Sequence, residues 1–187
     1  MTGMVPAGYL AKRVETDTSW LANDQVDDIY SLSNCISDNF GDYTGFWKHN
    51  NYWLFNSPAT IRALAEEAGF DLAGTKLFYY EVFEQQYHDT GLWQTFTAEN
   101  SLHTSVEVPA TKQLEGFDIV TFSLGPVPEC SCLSCNYMAE TVPVNCHCLL
   151  ETFDTAFTLL SQDVFKGCEP GPYRIFAVYS VNEKKEG

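Results

Sequence analysis

The sequence predicts an α+β fold, a mostly antiparallel sheet with two main helices, built by internal duplication of a strand–loop–strand–helix–strand unit. Three observations carry this. Short runs rich in β-branched and aromatic residues, bounded by Gly, Pro or Asp, recur along the chain. Two segments show a helical apolar period behind a capping residue. The segments also match pairwise, in the same order, between the two halves.

The predicted strands, in order, are "DIYSLS" (28–33), "YWLF" (52–55), "KLFYYEVFE" (76–84), "LWQTF" (92–96), "FDIVTFSL" (117–124) and "YRIFAVYSV" (173–181). The first helix is "NSPATIRALAEEAG". Ser57 is a cap type, Pro58 suits the first helical position, Ile61, Leu64, Ala65 and Ala68 make one stripe, and Gly69 ends it. The second is "ETFDTAFTLLSQDVF", with Thr152 as the cap and Phe153, Ala156, Phe157 and Leu160 facing inward.

Four pairs of segments match. "DIYSLS" (28–33) aligns with "DIVTFS" (118–123), and "CISDNF" (35–40) with "CLSCNY" (132–137). "LFNSPATIRALA" (54–65) aligns with "LLETFDTAFTLL" (149–160), and "LFYYEVF" (77–83) with "IFAVYSV" (175–181). The chain of 187 residues is then one globular domain, 1–187, with repeat halves 26–83 and 116–181 packed about a pseudo-twofold axis.

Composition narrows the function. With 25 acidic and 10 basic residues the formal charge is −15, which disfavours direct binding of a nucleic-acid backbone. The opening residues lack the apolar run of a signal peptide, and no run is long enough to span a membrane. Seven cysteines cannot all pair internally, so the expectation is a cytoplasmic chain with reduced thiols and no membrane contact.

Two stretches contain acids and no Lys or Arg. Val14–Trp47 holds Glu15, Asp17, Asp24, Asp27, Asp28, Asp38 and Asp42. Gln113–Phe165 holds Glu115, Asp118, Glu129, Glu140, Glu151, Asp154 and Asp163. Within "NFGDYTGFWKHNNYWLF" lie Tyr43, Phe46, Trp47, Tyr52 and Trp53, of which Phe46 and Trp47, in a turn-rich setting, are the expected exposed pair. Acids that steer and aromatic rings that anchor suit an interface with a basic protein. Asp27, Asp28, Asp38, Asp42, Phe46 and Trp47 are the expected partner-binding residues.

"PECSCLSCNYMAETVPVNCHC" (128–148) allows three readings. Its C-x-x-C turn followed by C-H-C offers zinc a ligand set of Cys132, Cys135, Cys146 and either Cys148 or His147. Alternatively "VNCHCLL" is a half-buried strand whose thiols serve as small apolar residues. In the third, Cys132 or Cys135 is a catalytic or redox thiol, which would need a base, and His147 is the nearest in sequence. Motifs for phosphate loops, serine nucleophiles, zinc proteases and calcium loops are missing from the sequence. The leading expectation is an acidic binding protein, of inhibitor or immunity type, that neutralises a basic and nucleic-acid-acting protein. Zinc binding is the runner-up and a thiol-dependent enzyme the third.

Overall fold

The computed structural model describes residues 3–33, 35–36, 49–96 and 105–182. Its centre is an antiparallel pair, β2 (Lys76–His88) against β5 (Tyr173–Ser180). Strand β1 (Met4–Lys12) lies outside β2, and β4 (Gln113–Thr121) lies outside β5, giving the order β1-β2-β5-β4. The short β3 (Leu92–Thr95) folds back on the far end of β2. Helix α1 (Pro58–Ala68) joins the first half and α2 (Phe153–Ser161) the second.

Both helices begin as their sequences dictate, and their stripes pack inward except that Ala68, expected in the stripe of α1, is exposed in its last turn. The Ser57 hydroxyl accepts from the Thr60 amide, and the Thr152 hydroxyl accepts from the Thr155 amide. Gly69, at φ 66°, closes α1 by donating to the Ala65 and Glu66 carbonyls. Ile61, Leu64 and Ala65 are the buried stripe of α1, and Ala156 and Leu160 that of α2, with Phe153 and Phe157 half-buried beside them. The core has two clusters. One gathers β1, β2 and α1 around Tyr30 and Leu32, and the other gathers β4, β5 and α2 around Leu21, Ile29 and Leu133. Among the described residues no helix is long and apolar enough to cross a membrane.

The two outer strands carry the same device. β1 bulges between Pro6 and Gly8, and β4 between Leu114 and Gly116. Gly8 has φ 140° and Gly116 φ 148°. A Cβ on Gly8 would lie 2.7 Å from Leu54 Cβ and 2.7 Å from the Phe55 carbonyl. On Gly116 it would lie 2.7 Å from Leu149 Cβ and 2.8 Å from the Leu150 carbonyl. What presses on each glycine is a tight loop organised by one asparagine. Asn50 accepts from the amides of Tyr52 and Leu54 and donates to the Ala7 carbonyl. Asn145 accepts from His147 and Leu149 and donates to Glu115. Each loop holds a residue in left-handed conformation, Trp53 at φ 63° and Cys148 at φ 59°, and ends in a bridge, Tyr9 to Phe55 and Phe117 to Leu150.

Several expectations are corrected. "DIYSLS" is not a strand beyond one bridge from Ile29 to Glu15, because the polar groups of its second half, Ser31–Ser33, bond to side chains instead. Ser31 Oγ and the Leu32 amide donate to Asp118, and Lys12 Nζ donates to the Ser31 and Ser33 carbonyls. "YWLF" and "VNCHCLL" are the two asparagine-organised loops, since Asn50 and Asn145 divert amides that a ladder would use. The outer strand beside β2 is β1, whose run in the sequence is interrupted by Pro6 and Gly8.

Candidate functional site

Segment 19–30 of the first acidic stretch crosses over and lies along 137–147 of the second. Asn23 Nδ2 donates to the Ala139 carbonyl, the Ala22 amide to Glu140 Oε1, and the amides of Asp27 and Asp28 to the Cys146 carbonyl. The Tyr30 amide donates to the His147 carbonyl. These bonds set the two stretches side by side, and Asp17, Asp24, Asp27 and Glu140 are exposed on them. Across the same contact Trp20 and Tyr137 meet edge to face at 5.7 Å, with 36% and 52% of their surfaces open. Tyr137 sits there in a left-handed conformation, φ 61°, that turns the chain into the short 3₁₀ turn Met138–Glu140.

The candidate acids divide. Asp27 is exposed, whereas Asp28 is half-buried with Oδ1 2.5 Å from His147 Nδ1. The His147 ring stacks on Tyr30 at 4.0 Å, and its Nε2 lies 3.7 Å from Glu115 Oε2. Asp28 therefore belongs to an internal carboxylate–histidine contact as well as to the acidic face. Asp38, Asp42, Phe46 and Trp47 lie outside the described residues. Asp118 leaves the surface altogether, being fully buried. Burial pushes its carboxyl up from the usual range, against the bonds from Ser131 and Ser31 that pull it down. Two bases are also withdrawn from the surface, Lys12 at 1% and Arg174 at 7% exposure.

The thiols are dispersed differently from the expected ligand set. Cys132 is fully buried, and its thiol beside Cys168 holds the Cys168 thiol below the usual range. Cys146 is exposed and Cys148 is buried, on opposite sides of a loop rather than on one strand face. Burial pushes the Cys148 thiol up to about 12. His147 is held by Asp28 as described.

Cys135 instead meets Cys35 and Cys130, and the three sulfurs all lie within 4.8 Å of one another. The extended run at 130–132 is bonded to β4, with Thr121 donating to the Cys130 carbonyl and Cys132 to that of Ile119. The following turn, closed by the Cys135 amide on the Ser131 carbonyl at 3.0 Å, brings Cys135 back toward Cys130. From the other half, Ser33 fixes the approach. Its hydroxyl donates to the Glu129 carbonyl at 2.5 Å, accepts from the Cys35 amide at 3.1 Å, and lies 3.4 Å from Cys135 Sγ. Cys35 Sγ is then 3.3 Å from Cys130 Sγ. Burial raises the thiols of Cys130 and Cys135 above the ordinary range, and neighbouring sulfurs add to it. Such thiols hold their protons and are poor free nucleophiles.

Sequence reasoning missed this meeting because Cys35 is separated from its partners by most of the chain. The one hint was the alignment of "CISDNF" with "CLSCNY". Trp20 and Tyr137 were missed too, as isolated aromatics in polar segments. Set against family models, curated proteins and solved structures, the chain matches none.

Proposed function

We propose that the protein acts by binding a basic protein partner through its acidic face, as an inhibitor or immunity-type protein neutralising a nucleic-acid-acting enzyme. The observation that carries this is the packing of segment 19–30 on 137–147, which joins the two base-free stretches around the exposed Trp20–Tyr137 pair. Exposed carboxylates on the same segments as exposed aromatic rings combine long-range attraction for a basic cleft with an anchor that binding would desolvate. Asp27 lies in this region, and Asp28, Asp38, Asp42, Phe46 and Trp47 extend the proposal. The cytoplasm, which keeps seven thiols reduced, is the compartment in which the chain would act.

The architectural proposal is that the two halves descend from a duplication. It is supported by the twinned glycine bulges, asparagine loops and threonine- or serine-capped helices. The register across the centre agrees: Tyr80 pairs Val178, and each is also the partner of its own half's bulge glycine, Gly8 and Gly116.

The test is kinetic, against a partner isolated on the immobilised protein and measured at two salt concentrations. Association should slow as salt rises, because exposed charges are screened over about 8 Å at physiological ionic strength. The triple change Asp24→Asn, Asp27→Asn, Glu140→Gln should lower the on-rate several-fold, and Trp20→Ala should raise the off-rate about tenfold. Salt-independent binding that ignores all four substitutions would sink the proposal.

A further inference from the structure

Three sulfurs from two distant segments meet beside the Thr121 end of β4, and nothing in a hydrophobic core requires them to. Cys35 is exposed and Cys130 and Cys135 are half-buried, so they are not small apolar fillers. A thiophilic ion holds sulfur at about 2.3 Å, so a set of thiolates around one ion has its sulfurs roughly 4 Å apart. Here one pair is 3.3 Å apart and all three lie within 4.8 Å, so small side-chain rotations complete the geometry. The ring of contacts from Ser33, which bonds Glu129 and Cys35 and touches Cys135, holds the two segments together in advance of any ligand.

We propose that Cys35, Cys130 and Cys135 form a three-thiolate site for a thiophilic d10 cation, zinc or copper(I), a ligand set that shares only Cys135 with the C-x-x-C and C-H-C pattern. Soft sulfur donors select these ions. Copper(I) is satisfied by three sulfurs. Zinc keeps a fourth vertex open for solvent or an incoming donor, as sites with three protein ligands do. On binding, each thiol gives its proton to solvent and the sulfur lone pair to the ion. Three protons are released per ion, and nothing is oxidised or reduced. The ion also removes the repulsion that three adjacent thiolates would otherwise suffer. The site joins residue 35 of the first half to 130 and 135 of the second, so a bound ion fastens the halves at this end of β4.

The test uses the full reduced chain and needs no variant at first. With zinc alone, and separately with copper(I) under anaerobic conditions, one equivalent should bind with release of about three protons in weakly buffered solution. Alkylation with iodoacetamide followed by peptide mass mapping should show Cys35, Cys130 and Cys135 protected by the metal, while exposed Cys146 is modified at the same rate with and without it. Cobalt(II) should give the intense visible bands of a tetrahedral thiolate site. Cys35→Ser, at an exposed position and checked by circular dichroism for native fold, should weaken zinc binding by more than the roughly 100-fold that loss of an outer hydrogen bond costs at most. Cys146→Ser should leave it unchanged. Failure of the reduced chain to retain either ion overturns the proposal. So does metal protection that falls on Cys146 and Cys148, or alkylation of Cys135 that proceeds as fast with metal as without it.

Discussion

His49 illustrates how one side chain couples the fold to pH. Its ring is buried, stacked on Trp53 at 4.8 Å and tilted against Phe55 at 4.6 Å, and its Nδ1 has no hydrogen-bond partner among the described residues. Burial pulls its pKa down from 6.5 to about 4. The unfolded chain takes up this proton near pH 6.5 while the folded chain refuses it until about pH 4, so stability is lost as pH falls through that window. At 1.36 kcal/mol per pKa unit the loss approaches about 3 kcal/mol. Replacing His49 by Phe keeps a ring in the stack and removes the titration. Urea unfolding at pH 7 and pH 4 should therefore show the variant gaining up to about 3 kcal/mol relative to the parent on acidification. A difference between the two proteins that does not change with pH would refute this account.

At the scale of elements, the bulges of β1 and β4 depend on glycine for two reasons at once. The backbone at Gly8 and Gly116 lies at φ 140° and 148°, where side chains are strained, and a Cβ would collide with a loop backbone carbonyl. Gly8→Ala and Gly116→Ala should each cost roughly 3 kcal/mol, combining conformational strain with overpacking. Gly74→Ala, where φ is 78° but no atom lies within 4 Å of the added carbon, should cost less. Thermal and urea denaturation of the three variants measure this, and equal losses at all three sites would remove the collision from the explanation. The same elements mark how far the sequence was legible. Both helices, β2, β3 and β5 were readable because local caps and β-branched or aromatic runs decide them. β1 was not, since Pro6 and Gly8 look like punctuation until the bulge they form is seen against β2. "YWLF" and "VNCHCLL" read as strands because apolar content is visible in sequence, whereas the Asn50 and Asn145 bonds that curl them are not. For the site, the acidic stretches were legible from charge alone. Their contact, and the convergence of Cys35 with Cys130 and Cys135, depend on chain crossings between halves that no local pattern encodes.

Across the whole molecule, the halves are joined along the central β2–β5 ladder, where register runs from Phe78 opposite Ser180 to Tyr87 opposite Tyr173. Segment 19–33 adds a second seam through Asn23 to Ala139, Tyr30 to His147 and Ser31 to Asp118. Neither half can keep its buried polar groups satisfied without the other, so unfolding should be a single transition. Tryptophan fluorescence, far-ultraviolet circular dichroism and calorimetry should give coincident curves, and a plateau between separate transitions would contradict this. The outer strands have a further consequence for how any other chain is met. A free strand edge is a template on which another chain can add its own backbone. Here the template is broken in mid-strand: Tyr9 and Phe55 exchange amide bonds at 2.8 and 3.1 Å, and Phe117 and Leu150 do so at 2.8 and 3.0 Å. On β4 the interruption continues, with the Thr121 amide already donating to Cys130 and the Ile119 carbonyl already accepting from Cys132. Recruitment of a foreign strand would first have to displace these loops, which favours recognition by side chains and discourages edge-to-edge stacking of the protein on its own copies.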